Sequence, residues 1–157
     1  MIHQTILETN WREEMVAEIA SMRMKMQQNC RASNLKRGIG GTVDIEFIVQ
    51  MLQLKHAVEH PAVLVTGTIN ALQVLQEIGA IAPPKGQKLT ESYRFLRGVE
   101  ARLRLMNTTA RHDLPEDSEL AKLAYLLRTS SDVLVEQVAD CRRSNRELFS
   151  QIFGLPK

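Results

Sequence analysis

Asn34-Leu35-Lys36-Arg37-Gly38-Ile39-Gly40-Gly41-Thr42-Val43-Asp44-Ile45-Glu46-Phe47-Ile48-Val49-Gln50 joins a basic pair to a glycine turn and then to a helix that opens with acids. Three glycines within four positions demand either a positive φ or a close approach of something to the backbone, and other residues meet neither demand easily. Such a turn can lay backbone N–H groups and two cations against a phosphate. Thr42 is then the expected N-cap, with Asp44 in the first helical turn, where the dipole favours a carboxylate. The plainer alternative is a loop-to-helix connection carrying a solubilising Lys-Arg pair. The cluster is no known nucleotide fingerprint by itself. Val43 stands where G-x-G-x-x-G needs its third glycine, and the Gly-Lys-Ser/Thr ending of a phosphate loop is missing.

Outward from this turn the chain reads as helices, with no strand alternation of useful length. The helix that follows, over about residues 43 to 59, carries two apolar rows. Ile45, Ile48, Val49 and Leu52 form one, and Phe47, Met51, Leu54 and Val58 the other, which predicts a central place in a bundle. Glu46, Gln50 and Gln53 make a polar stripe between them, facing a cleft or a neighbouring domain. Before the turn, Trp11, Met15, Ile19, Met22 and Met26 give the stripe of an amphipathic helix over about residues 9 to 31.

After Pro61, Thr68 reads as the N-cap of a helix bearing Ile69, Leu72, Leu75 and Ile78, and Gly79 sits where a helix end wants positive φ. Pro83 and Pro84 precede a longer helix with Leu89, Tyr93, Leu96, Val99, Leu103 and Met106 at bundle spacing. Arg94, Arg97, Glu100 and Arg104 share another of its faces, where Glu100 can pair with Arg97 and with Arg104. That face is either solvated or a docking surface for a catalytic domain or an acidic partner. Arg111 to Pro115 is a loop, and a short helix capped by Asp117 or Ser118 follows, burying Leu120, Leu123, Ala124 and Leu127. In the last helix Leu134, Val138, Cys141, Asn145, Leu148 and Ile152 line one side, and Gly154 closes the run. The expected fold is all-α, residues 1–157 forming one bundle of about five or six helices, with the first few residues foreign to it.

Composition limits the function classes. At 157 residues the chain suits about one domain with its own core. Aromatics at 4% against 44% hydrophobic residues leave Leu, Met and Ala to build that core, which favours helix. A formal charge of +2 is too small to argue for nucleic acid or a membrane surface. Cys30 and Cys141 stand far apart without Cys-x-x-Cys spacing, so neither zinc nor a disulfide framework is indicated, and a reducing cytoplasm is the simplest home. No apolar run of about 18 residues and no secretory pattern occur, so neither a membrane span nor a leader is expected. His56 and His60, four apart, could share a metal, but no third ligand stands at a convincing spacing. His3 near the terminus and His112 in a loop make no catalytic case.

The run Leu35 to Gln50 resembles the form Leu-Lys-Arg-Gly-x-Gly-Gly-x-x-Asp-Ile-Glu-Phe-x-x-Gln of the glutamine synthetase adenylyltransferases, large bifunctional enzymes that attach and remove AMP on glutamine synthetase. The resemblance continues through Gln53-Leu54-Lys55-His56, through Tyr93 to Leu105, and through His112-Asp113-Leu114-Pro115, covering nearly the whole chain from residue 34 onward. Those enzymes have two halves, each a nucleotidyltransferase domain followed by a helical domain. This chain is similar to one such nucleotidyltransferase-associated helical domain. The Asp44-Ile45-Glu46 version resembles the one after the C-terminal, adenylyl-transferring half, and an end soon after Gly154 fits the end of such a protein.

For the full enzyme the resemblance implies ATP and magnesium, transfer of AMP to a tyrosine of glutamine synthetase, and control by glutamine and the P-II signalling protein. No Asp-x-Asp, the family's metal-holding pair, occurs in this sequence. The chain is therefore expected to hold no cofactor and no catalytic residue of its own, and to be inactive without the preceding nucleotidyltransferase domain. The turn would close over that domain's active site, with Lys36 and Arg37 on phosphate, Gly38, Gly40 and Gly41 allowing close approach, and Asp44 or Glu46 orienting the cations. The alternative is a module that docks glutamine synthetase or the P-II protein through Arg94, Arg97 and Arg104 without touching nucleotide. A third option is a free-standing helical regulator with a ligand in the bundle.

Overall fold

Six α-helices make up the regular structure of the computed structural model, which describes residues 11–106 and 112–156. The expectations about His3, Arg111 and the first few residues fall outside that range. The helices are α1 (Glu14–Gln28), α2 (Thr42–His56), α3 (Thr68–Glu77), α4 (Pro83–Met106), α5 (Asp117–Leu126) and α6 (Ser131–Ile152), with a 3-10 turn at Pro61–Val63. Among the described residues there is no strand, only an isolated bridge between Asn34 and Asp113. The all-α bundle expected from apolar periodicity is what forms, and no helix among the described residues is long and apolar enough to cross a membrane.

Helix α2 is the hub. Ile45, Ile48, Val49, Met51 and Leu52 are all buried, and the helix packs on α1, α3, α4 and α6. It starts at Thr42 and stops at His56, so Val58, expected on its second apolar row, lies beyond the helix and is exposed. Helix α1 departs further from expectation. Its buried face is Ile19, Ala20 and Arg23, while Met22 and Met26 point outward. The reason is electrostatic: α1 packs chiefly on α2, and Arg23 turns inward to a carboxylate there.

The helix starts also differ in detail from the predicted caps. Gly41 and Gly67, not Thr42 and Thr68, occupy the N-cap positions, and Glu116 rather than Asp117 or Ser118 precedes α5. Ser130 caps α6 by accepting from Val133 N at 3.4 Å, and Gly79 takes the expected positive φ of 74°.

Two apolar cores divide the bundle. The larger joins α1, α2, α3, the start of α4 and the end of α6, with Phe149 stacked on Phe153 at 4.2 Å between ring centroids. The smaller gathers Leu96, Val99 and Leu103 of α4, Leu123 and Ala124 of α5, and Leu134 and Val138 of α6 around Leu35. Leu35 is the residue that leads into the glycine turn, so the turn lies at the waist between the cores. Both long helices, α4 and α6, run past that waist.

Candidate functional site

The glycine turn folds back on its own chain. Most of its N–H groups are consumed internally: Lys36 and Arg37 donate to Asn34 Oδ1 at 3.1 and 2.7 Å, Gly38 to Asn34 O at 3.1 Å, and Gly41 to Gly38 O at 3.0 Å. Gly40 N donates to Asp44 Oδ2 at 2.9 Å. Thr42 and Val43, the first two residues of α2, donate to the carbonyls of Leu35 and Lys36, each at 3.1 Å. The N–H groups named here thus have acceptors within the protein. The helix start that would have bound the anion is satisfied by the preceding segment.

The glycines do admit a close approach, but what approaches is the protein. Gly40 has φ 70°, and a Cβ there would run into the backbone of Arg142 on α6. Gly38 and Gly41 lie similarly tight against Asn34 and against the carbonyls of Leu35 and Lys36. The turn's own carbonyls are gripped from outside: Arg23 Nη2 donates to Gly38 O, Arg142 Nε to Ile39 O and Asn145 Nδ2 to Gly40 O, each at 2.9 Å. Arg142 Nη1 also donates to Ala32 O at 2.8 Å.

Asp44 is the pin of this arrangement. Its side chain is 0% exposed, with Oδ1 2.5 Å from Arg23 Nε and Oδ2 3.4 Å from Arg146 Nη1. One carboxylate thus ties α1 and α6 to the start of α2. Asp44 was expected to orient Lys36 and Arg37, but its recorded partners are Arg23 and Arg146. Glu46, the other candidate for that role, accepts from the Tyr93 hydroxyl at 3.1 Å and so links α2 to α4.

Lys36 and Arg37 line a cleft of about 430 Å³ together with Asn29, Cys30, Arg31, Asn34, His112 and Asp113. Asn34 organises it. Besides fixing the backbone of the basic pair, its amide donates to Asp113 Oδ1 at 3.1 Å. The backbones are stitched by Leu35 N to His112 O at 2.6 Å and Leu114 N to Ser33 O at 2.9 Å. Three arginine or lysine side chains thus share the cleft with one carboxylate, Asp113, which stands 3.8 Å from Arg31 Nη1. The chemistry available is electrostatic: a cleft with excess positive charge suits a phosphate oxygen.

On α4, Arg94 and Arg104 are exposed, while Arg97 is half-buried and donates to Glu100 Oε2 at 2.9 Å. Glu100 is fully buried, and its recorded partners are Arg97 and His112, not Arg104. The predicted charged face is therefore broken at its centre by a carboxylate turned into the protein. His56 and His60 find no third ligand, and no group of His, Cys, Asp and Glu among the described residues could hold a metal ion. Burial pushes the Cys141 thiol above its ordinary value, as suits a packing residue. Sequence reasoning overlooked Arg23, Arg142, Asn145 and Arg146. Arg23 and Asn145 stand on otherwise apolar faces, and that anomaly was the available signal.

A family model described as GlnD PII-uridylyltransferase matches residues 12–153. The chain is 39% identical over 123 residues to a bifunctional glutamine synthetase adenylyltransferase/adenylyl-removing enzyme of Mycobacterium leprae, covering 76% of this chain and 12% of the relative. The Mycobacterium tuberculosis enzyme of the same name is 37% identical over the same shares. That of Corynebacterium glutamicum is 33% identical over 92% of this chain and 15% of its own length. The chain spans about an eighth of the length of most of these relatives. Over that span it belongs to the GlnD PII-uridylyltransferase family, as a domain of the glutamine synthetase adenylyltransferase kind.

Proposed function

We propose that this chain is a helical accessory domain of a bifunctional glutamine synthetase adenylyltransferase, and that its basic cleft completes the active site of a preceding nucleotidyltransferase domain. The observation that carries the reading is the cleft itself. Lys36 and Arg37 line it, on a turn most of whose backbone donors are spent on fixing the turn. Gly38, Gly40 and Gly41 serve as close-packed scaffold, Asp44 locks that scaffold to α1 and α6, and Glu46 anchors α2 to Tyr93.

Cations held in place before the reaction stabilise charge on a transferring phosphate without reorganising. The magnesium that such transfer uses has no fitting donor set among the described residues, because the acids near the turn are already engaged. The ion and the ATP belong, on this reading, to the preceding domain. The Asp44-Ile45-Glu46 form favours the adenylyl-transferring half. In the full-length enzyme Lys36→Ala and Arg37→Ala should each lower AMP transfer to glutamine synthetase on the order of 10²-fold with the melting temperature unchanged. An unchanged rate would sink the proposal.

A second reading, docking of glutamine synthetase or the P-II protein, is favoured by the exposure of Arg94 and Arg104 on α4. Charge reversal at Arg94, Arg97 and Arg104 would then weaken partner binding and leave nucleotide affinity as it was.

A further inference from the structure

We infer that Arg142 of α6 is the positioning residue of the basic cleft, a staple across the loop that carries Lys36 and Arg37, so that both cations stand at fixed places when a phosphate arrives. This rests on the reading of the cleft as part of a phosphate-transfer site. Lys36 and Arg37 line the cleft, yet among the described residues neither side chain has an ion-pair partner. Their places therefore depend on the backbone from which they project. Within the loop, Asn34 Oδ1 accepts from Lys36 N and Arg37 N. Arg142 holds the loop at both ends: Nη1 donates to Ala32 O, before the basic pair, at 2.8 Å, and Nε to Ile39 O, beyond it, at 2.9 Å. It is the one side chain among the described residues that bonds to the backbone on both sides of Lys36 and Arg37. Arg23 and Asn145 reach only the far side, at Gly38 O and Gly40 O.

Donors on one guanidinium keep a constant separation, because the group is planar and rigid. Bonded to carbonyls on either side of the basic pair, it sets the distance between the two ends of the loop. A lysine in its place would be a point charge on a flexible stem and would set no such distance. The same group accounts for two of the glycines. A Cβ on Gly38 would stand 2.6 Å from Arg142 Nη2, and one on Gly40 would run into the Arg142 backbone, so the turn lacks side chains where the arginine enters it. Cations placed before the reaction stabilise a developing charge without reorganising, and a misplacement of about 1 Å can cost on the order of 10²-fold in rate. Arg142 touches neither nucleotide nor acceptor on this assignment. It acts through Lys36 and Arg37, and no covalent bond is made or broken at it.

Steady-state AMP transfer to glutamine synthetase by the full-length enzyme separates positioning from stability. At a temperature where melting shows the variant folded, Arg142→Ala should lower kcat about tenfold with KM for ATP changed by no more than about twofold. In the Lys36→Ala, Arg37→Ala double variant the same substitution should cost no further rate, since the cations it positions are gone. Arg142→Lys keeps the charge without the fork, so it should also lose kcat, and it carries the test if Arg142→Ala does not fold. A wild-type kcat in Arg142→Ala, or in Arg142→Lys where Arg142→Ala is unfolded, overturns the inference and leaves the staple a matter of stability. An equal further loss in the double variant overturns it too, because Arg142 would then act independently of the basic pair. If Lys36→Ala and Arg37→Ala themselves leave the rate unchanged, the cleft reading falls first and the role of Arg142 with it.

Discussion

At Asp44 a carboxylate with no exposed surface meets guanidinium groups from two other helices, Arg23 of α1 and Arg146 of α6. Truncating it leaves Arg23 charged, buried and without its counter-ion, the circumstance in which half a buried pair is worst. Asp44→Ala should cost about 3–5 kcal/mol in urea denaturation, far more than any surface charge deletion. A loss below 1 kcal/mol would show that the turn does not depend on this pin. Gly40 offers a second test at the same scale, because Gly79 supplies a matched control with a similar φ of 74° but nothing close to it. Gly79→Ala should cost about 1–2 kcal/mol for the left-handed backbone alone. Gly40→Ala adds a collision with the Arg142 backbone and should cost about 4 kcal/mol or more. The place of Asp44 in the first turn of α2 was legible from its neighbours. Its partners were not, since Arg146 lies 102 residues away and no local pattern links them.

Between elements, the misread face of α1 shows where periodicity stops being informative. Met22 and Met26 keep helical spacing with Ile19, yet a helix that packs on one neighbour buries a narrow strip, and the Arg23–Asp44 pair decides which strip. Met22→Lys should therefore change stability by no more than about 0.5 kcal/mol, while Ile19→Ala costs about 2–5 kcal/mol by thermal or urea melting. The end of α2 carries a pH signature. Burial holds the His56 imidazole below its ordinary value of 6.5, with Lys55 and His60 adding to the effect and Glu59 opposing it. The folded protein then takes up this proton less readily than the unfolded chain does. The contribution is complete above about pH 6.5 and is lost as pH falls through the lowered folded value. His56→Gln should lose less stability than wild type when denaturation is repeated at about pH 7.5 and pH 5.5. An identical loss in both would assign the acid sensitivity elsewhere.

Across the whole molecule, the helix count and the hub position of α2 could be read from the chain because apolar period and proline and glycine breaks are local signals. The division into two cores could not, since it depends on which halves of α4 and α6 face which partners. The same limit applied to the candidate site. Lys36 and Arg37 stand out in sequence, whereas the cleft they share with His112 and Asp113 exists because Leu35 and Leu114 bond across the waist of the bundle. That geometry makes the waist a place where disturbance of one core reaches the other. Helices α4 and α6 are continuous through both cores, and Leu35, which belongs to the smaller one, leads directly into the turn pinned by Asp44 of α2, the helix whose next residue, Ile45, lies in the larger. The two cores should therefore unfold as one unit. Leu123→Ala, placed at 0% exposure in the smaller core, should cost about 2–5 kcal/mol. Hydrogen exchange should then show the slowest amides of α3, which belongs to the other core, losing protection by the same free energy as those of α5. Loss confined to α5 and the first half of α6 would mean that the smaller core opens independently. In that case the cleft, built across the boundary, would open with it.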